Sequence, residues 1–186
     1  MSRFHHRLSI ATAVILMAAG VTAQAQRTMK GQSVLGAEAA FNGMSAGVTL
    51  DYSQYTLNGF WYVGVCGNDY FGWYAPEKKI RYDHLSANGG YLFRLAGTRS
   101  RSVNLYGGGE VFVGVELTDP FSELPDQFRA AIEHYRFLYG VAPKILAEFF
   151  VSSGFAFTVF GSVPINFSSD YSNFNFNVGA GFRIML

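Results

Sequence analysis

Strict alternation of apolar residues near the C-terminus constrains the fold more than any other feature of this sequence. Seven apolar residues occupy every second position: Phe174, Phe176, Val178, Ala180, Phe182, Ile184 and Leu186. Apart from Met185, the positions between them are small or polar: Asn173, Asn175, Asn177, Gly179, Gly181 and Arg183. Successive side chains of a β-strand point to opposite faces of a sheet. The segment therefore predicts a strand with one apolar face and one small or polar face.

The same two-residue period recurs in four other segments. They cover residues 44–53, 85–95, 102–117 and 155–165. Three further segments have strand-like composition, at residues 33–41, 59–66 and 136–151. Short polar or Gly-containing stretches separate neighbouring segments, which is typical of antiparallel strands joined in sequence order. The sequence therefore predicts eight strands in a meander.

The lengths of the connections favour a particular kind of sheet. Asn42-Gly43 tolerates the positive φ of a tight hairpin turn, and the turns near 56–58, 97–101 and 152–154 are short. The connections at 67–79, 118–133 and 166–172 are longer and more polar. Short connections on one side and long ones on the other are typical of outer-membrane barrels. Helical spacing of Phe128, Ala131, Ile132 and Tyr135 also predicts a short helix within the 118–135 loop.

An open sheet of eight strands leaves two edges of unpaired backbone groups, and each such group costs several kcal/mol in hydrocarbon. Closure of the sheet removes both edges. Eight strands enclose an interior that side chains fill, with little or no channel. The expected fold class is therefore all-β, an eight-stranded antiparallel up-and-down β-barrel of the outer-membrane type.

The N-terminus carries the features of a secretory signal peptide. Arg3 and Arg7 precede an apolar run at residues 8–21, and Ala23-Gln24-Ala25 follows. The run is shorter than the roughly 20 residues that a membrane-spanning helix needs. We expect cleavage between Ala25 and Gln26, which removes residues 1–25 and leaves residues 26–186 as a single β-barrel domain.

The composition is typical of a membrane protein rather than a soluble domain. Aromatic residues make up 17% of the chain, and charged residues make up only 15%, against about 25% charged residues in soluble domains. Aromatic residues near the ends of the predicted strands predict a belt at the membrane headgroups, with the core of a soluble protein as the alternative: Tyr70, Phe71, Trp73, Tyr74, Tyr82, Tyr135, Phe137 and Tyr139. After removal of Arg3 and Arg7 with the signal peptide, the chain contains 12 basic and 13 acidic residues. This balance offers no basic surface for nucleic acid, so direct binding of nucleic acid is not predicted. Cys66 has no partner for a disulfide within the chain, and its apolar surroundings indicate a buried small side chain.

Several charged residues share the strand face that turns away from lipid. The alternation places six of them inside the barrel: Arg94, Glu110, Glu116, Lys144, Glu148 and Arg183. Isolated charges would be costly in the interior, so we expect them to pair with one another or with water. A ligand site or a proton path is the alternative role for this set.

Motifs that carry catalysis are absent from the sequence. It contains no P-loop, dinucleotide fingerprint, His-Glu metal helix or nucleophile elbow. His84 and Ser86 share one strand face, where a base and a nucleophile can meet, but two polar residues are expected on a polar face in any case. Asp83, His84 and His134 lack the spacing of metal ligands. We therefore expect no enzyme, no cofactor and no metal.

A family resemblance covers the whole chain after the signal peptide. It rests on Ala25-Gln26-Arg27, on residues 90–93 and 103–115 with their three consecutive glycines, on residues 136–140, and on the closing residues 177–183. These segments resemble the TraO family of conjugative-transposon transfer proteins. The resemblance implies a protein encoded among the transfer genes of mobile elements in Gram-negative anaerobes, acting in the envelope part of DNA transfer.

The resulting hypothesis is an outer-membrane barrel component of a conjugative DNA-transfer apparatus. Its role is structural or interactive, and its partners are outer-membrane lipid and other proteins of the apparatus. One alternative is a general small outer-membrane barrel of adhesin or envelope-integrity type. Another is a soluble periplasmic β-barrel that binds an apolar ligand.

Overall fold

The computed structural model of the chain describes residues 30–42, 44–75, 78–98, 102–118, 135–168 and 174–186. In these ranges the chain forms nine strands: β1 (Ser33–Phe41), β2 (Ser45–Tyr55), β3 (Gly59–Ala75), β4 (Lys78–Gly97), β5 (Val103–Thr118), β6 (Tyr135–Ser152), β7 (Phe155–Ser162), β8 (Ile165–Asn166) and β9 (Asn177–Met185). None of the described residues forms a helix long and apolar enough to cross a membrane.

The strands form one closed antiparallel barrel. Each of β1 to β6 pairs with the next strand in the chain, β7 pairs with β9, and β9 pairs with β1 to close the sheet. The two-residue strand β8 lies along β6 beyond the end of β7, where Gly140 pairs with Asn166. Because β7 and β8 together occupy one strand position of the barrel, the barrel has eight antiparallel strand positions in up-and-down order. The predicted fold class is therefore confirmed.

Two ends of the barrel differ in their connections. We call the end where β2 is followed by β3, β4 by β5 and β6 by β7 the turn end. The opposite end, where β1 is followed by β2, β3 by β4, β5 by β6 and β8 by β9, is the loop end. The pairing is staggered around the barrel: a path that starts on β1 and moves from each residue to its partner on the next strand returns to β1 about ten residues nearer the loop end. Because of this stagger, every strand is tilted against the barrel axis.

The strands β3 and β4 are longer than the sequence predicts. Residues 67–79 were expected to form a long connection, and this prediction is wrong. The ladder between β3 and β4 continues from Gly67 paired with Leu85 to Ala75 paired with Lys78. The alternation of apolar residues stops before the strands do, because the hairpin continues past the apolar wall described below.

Several predictions concern residues outside the described ranges. The signal peptide and its cleavage between Ala25 and Gln26 are among them, as is the short helix predicted in the 118–135 loop. The turn at Asn42-Gly43 is described only at Asn42, whose side-chain oxygen accepts hydrogen bonds from the backbone N–H groups of Met44 and Ser45.

Glycines on the inner face let large neighbouring side chains and strands lie close to them. A Cβ on Gly179 would lie 2.4 Å from the ring of Phe160, and a Cβ on Gly140 would lie 2.5 Å from the ring of Phe112. Real Cβ atoms do not approach other atoms so closely. The absence of a side chain at these positions therefore makes room for the rings that fill the bore.

Substitution by alanine at two adjacent glycines of β5 should change the stability of the protein in different ways. A Cβ on the inward Gly108 would lie 2.2 Å from the backbone oxygen of Tyr91, whereas the nearest atom to a Cβ on the outward Gly109 is 3.5 Å away. We expect Gly108→Ala to lower the free energy of unfolding by about 1–3 kcal/mol through overpacking. Gly109→Ala should leave it unchanged or raise it by up to about 1 kcal/mol. Urea titration of the folded protein in detergent micelles measures both, and equal effects would contradict this inside-outside assignment.

Candidate functional site

The outer wall of the barrel is apolar along most of its length. Alternate residues of every long strand expose large apolar side chains, as Leu50 does at 57%, Val111 at 63%, Ile145 at 59% and Val159 at 53%. The described outward positions on β5 and β6 carry no charged side chain. We call this surface the apolar wall. Water-soluble monomers rarely expose contiguous apolar patches of more than a few hundred Å², so a wall that encircles the molecule is typical of a surface that contacts a membrane or a protein partner.

Aromatic residues mark both ends of the apolar wall. Towards the turn end, the rings of Tyr52 and Trp61 lie 5.7 Å apart, and Tyr91 and Phe93 form a second pair. Towards the loop end, Tyr139 contacts Phe137 and Phe167. Of the aromatic belt predicted from the sequence, Tyr135, Phe137 and Tyr139 point outward. Paired aromatic belts of this kind suit the two interfaces of a membrane.

Two residues predicted for the aromatic belt lie inside the barrel instead. Tyr70 and Tyr82 face inward at 4% and 3% exposure and stack on each other with their ring centroids 4.9 Å apart. Both occupy inward positions of the extended β3–β4 hairpin. Tyr70 lies in the connection predicted at residues 67–79, and Tyr82 precedes the strand predicted at 85–95, so the alternation assigned neither side chain to the interior. The side chains of Phe71, Trp73 and Tyr74, also assigned to the belt, lie outside the described part of the structure.

The interior near the turn end is built around one carboxylate. Glu148 is fully buried and accepts hydrogen bonds from the hydroxyls of Tyr55 and Tyr106. Nη1 of Arg183 lies 3.5 Å from Glu148 Oε1, and the guanidinium lies 4.1 Å from the centre of the Phe60 ring. We call these residues the turn-end cluster.

Apolar side chains pack around the turn-end cluster and close the bore. Val34, Phe60, Leu92 and Leu146 are each completely buried and belong to one hydrophobic cluster with Tyr55 and Tyr106. The turn-end half of the described bore is therefore filled with side chains, as expected for an eight-stranded barrel.

The middle of the interior is polar and contains a cavity. Lys144 Nζ donates a hydrogen bond of 2.6 Å to Glu38 Oε2 and lies 4.4 Å from the centre of the Phe160 ring. Glu110 Oε2 accepts hydrogen bonds from the Tyr62 hydroxyl at 2.5 Å and from Asn88 Nδ2 at 3.0 Å. Beside these residues lies a cavity of about 60 Å³, which we call the chamber. This volume holds roughly four water molecules.

A third polar group lies at the loop-end side of the chamber, where His84 is one of the lining residues. His84 Nε2 is 2.7 Å from Glu116 Oε2, and both side chains are almost completely buried. The imidazole ring packs against Tyr70 at 4.5 Å and Tyr82 at 5.3 Å between ring centroids. His84 and Ser86 both face inward, as the sequence predicts for a shared strand face. The contact joins two residues that are directly paired on the neighbouring strands β4 and β5.

The structure places the six predicted interior charges at different levels of the bore. Glu148 and Arg183 come together in the turn-end cluster, Glu110 and Lys144 line the chamber, and Glu116 lies on its loop-end side. Arg94 is half-buried at the turn end, beside Gly97.

Two buried carboxylates were missed by the sequence prediction. Glu38 pairs with Lys144, and Asp51 lies against Gly36 at 6% exposure. The alternation of β2 already placed Asp51 on the polar face and was the signal that identifies it. In β1 both faces carry small or apolar residues, so the alternation does not distinguish the inner face from the outer face. The sequence therefore could not predict that Glu38 points into the barrel.

The described residues contain no cluster of the side chains that usually ligate transition metals or divalent cations. No three side chains of His, Cys, Asp or Glu in the described part of the chain come together in an arrangement that could hold a metal ion. His134, which the sequence offered as a third candidate beside Asp83 and His84, lies outside the described ranges.

Comparison with protein families identifies the relationship. The family model described as conjugative transposon protein TraO matches residues 23–186. The chain belongs to the TraO family. The family resemblance inferred from the sequence is therefore confirmed, and it extends over the entire TraO barrel. No curated protein is significantly similar to this TraO chain in sequence.

Solved structures similar to this TraO chain are outer-membrane barrels. Neisserial surface protein A is 12% identical, with a TM-score of 0.50 over 82% of this chain and 94% of that one. The N-terminal β-barrel domain of Pseudomonas aeruginosa OprF is 8% identical, with a TM-score of 0.50 over 84% and 98%. Ail of Yersinia pestis is 15% identical, with a TM-score of 0.44 over 84% and 100%. At these identities the likeness concerns the fold alone.

Proposed function

We propose that this TraO protein is an outer-membrane component of a conjugative DNA-transfer apparatus, with a structural or interactive role and no catalysis. The observation that carries the proposal is the combination of the family with the apolar wall. The family relates the chain to conjugative transposons, and the wall suits a barrel whose outer surface lies among acyl chains.

The filled interior argues against a role as the DNA conduit. The turn-end half of the bore is packed with completely buried side chains, among them Phe60, Tyr106, Leu146 and Arg183. A DNA strand cannot pass such an interior without unfolding it. The protein instead offers its loop end and its outer surface to partners, since loops on a rigid barrel commonly carry recognition. The partners we propose are other proteins of the apparatus, together with outer-membrane lipid.

The soluble alternative is disfavoured by the direction in which the side chains point. A soluble barrel that binds an apolar ligand presents polar residues to water and apolar residues to its cavity. Here the chamber is lined by Glu38, Glu110 and Lys144, while Val111 and Val159 point outward.

Deletion of the gene in donor cells tests the proposal. We expect the transfer frequency to fall towards that of donors that lack the transfer region, and to recover when the intact gene is supplied in trans. The protein should be found in the outer-membrane fraction, with gel mobility that changes on heating. Normal transfer by the deletion strain would contradict the proposal. Normal transfer together with increased sensitivity to detergents would favour the envelope-integrity alternative.

A further inference from the structure

The interior contains more buried acid than buried base. Among the described residues, four carboxylates are at least nine-tenths buried: Glu38, Asp51, Glu116 and Glu148. Only two side chains with a permanent positive charge, Lys144 and Arg183, are buried to the same extent. Charges in an interior of low dielectric are costly unless they are compensated, so additional positive charge stabilises this arrangement.

The chamber itself is lined by more carboxylates than positively charged groups. Glu38 and Glu110 both line it, and Lys144 donates to only one of them, Glu38. Glu110 accepts its hydrogen bonds from the neutral groups of Tyr62 and Asn88. The chamber lining therefore holds two carboxylates and one ammonium group.

Unpartnered acceptors at the chamber show what chemistry a ligand needs. Glu38 is 97% buried, yet its Oε1 has no hydrogen-bond partner in the protein, and the same holds for Asn88 Oδ1. Both residues line the chamber. Because both atoms are acceptors, they require a donor or a cation, and an anion is excluded.

The size of the chamber and its set of ligands limit the occupant further. A volume of about 60 Å³ is sufficient for a small ion with a few water molecules. Divalent cations are typically held by several carboxylate oxygens, and no group of three ligating side chains is present among the described residues. We propose that the chamber binds one monovalent metal cation, Na⁺ or K⁺, through Glu38 Oε1, Asn88 Oδ1 and enclosed water.

The stability of the protein as a function of salt type tests this site. Urea titrations of the protein in detergent micelles, followed by gel mobility, are carried out in NaCl, KCl or choline chloride at constant ionic strength. A ligand that binds only the folded state raises the folding equilibrium constant tenfold for each tenfold rise in its concentration above Kd. When Na⁺ or K⁺ replaces choline, we expect the folding equilibrium constant to rise with the concentration of the metal ion in this proportion. In choline chloride alone, we expect no such rise.

A pair of isosteric variants locates the effect. Glu38→Gln keeps the side-chain volume and removes the carboxylate, so the dependence on Na⁺ or K⁺ should disappear. Glu116→Gln removes a buried carboxylate that does not itself line the chamber, although it contacts the lining residue His84, and should keep the dependence. A dependence that persists in Glu38→Gln would overturn the proposal. Should Glu38→Gln fail to fold, the salt comparison on the unmodified protein decides: equal stability in the metal salts and in choline means that the chamber holds water only.

Discussion

Replacement of Arg183 by methionine is expected to lower the free energy of unfolding by about 3–5 kcal/mol. Arg183 provides the cation beside the fully buried Glu148, and it also lies against the ring of Phe60. Methionine fills much of the same volume, so the main loss is electrostatic. The carboxylate of Glu148 would remain buried with only the hydroxyls of Tyr55 and Tyr106 as partners.

A double variant separates the lost charge from the lost packing. Glu148→Gln together with Arg183→Met removes both charges but keeps an amide oxygen that can accept a hydrogen bond from a tyrosine. We expect the double variant to recover at least half of the stability that Arg183→Met loses, since the two effects are strongly coupled. Urea titration of the wild type, both single variants and the double variant completes the cycle. A double variant no more stable than Arg183→Met would show that the isolated carboxylate is not the cause.

Arginine in the middle of the apolar wall is the second large perturbation we expect. Val111 lies near the centre of β5, points outward and is 63% exposed. If the wall faces hydrocarbon, Val111→Arg should cost about 2–4 kcal/mol and impair assembly, because the guanidinium is placed near the bilayer midplane.

The matched control lies on the same strand and the same face. Leu117 also points outward but lies near the loop end of β5, where it pairs with Asp83 of β4. Leu117→Arg should cost only about 0–1 kcal/mol, as expected near a membrane interface. Gel mobility before and after heating reports assembly, and urea titration in micelles gives the stability. Small effects at both positions would indicate an outer surface in water, contrary to the proposed location.

The two-residue period was sufficient to predict the barrel. It identified β9 from Val178, Ala180, Phe182 and Ile184, and all four residues are exposed on the outer wall. A period of two is informative here because the two faces of each strand meet different surroundings, lipid outside and packed side chains inside. The same reasoning placed Glu148 and Arg183 on the inner face, where the structure brings them together.

The two-residue alternation does not predict the parts of strands β3 and β4 that extend beyond the apolar wall. In β3 beyond Gly67 the sequence reads Asn68, Asp69 and Tyr70, which mixes polar and aromatic residues in a manner typical of a loop. The structure continues the ladder because the backbone hydrogen bonds of the hairpin persist without a lipid-facing side. The length of β3 and β4 therefore depends on pairing between strands, which a single sequence does not display.

Contacts inside the bore were the least predictable feature. The sequence indicates which residues point inward, but the partner of each one depends on the tilt and stagger of the closed sheet. Lys144 of β6 meets Glu38 of β1, and these residues are 106 positions apart in the chain. Neither their spacing nor their types predict the pair.

The way the barrel closes determines when it can become stable. Val34 of β1 pairs with Met185 of β9, so the wall is complete only after both of these distant segments are present together. Until then the growing sheet has two unpaired edges, each able to associate with other chains. On the proposed route to the outer membrane, the chain would cross the periplasm before its first and last strands are paired, and it would need protection from aggregation until the barrel closes.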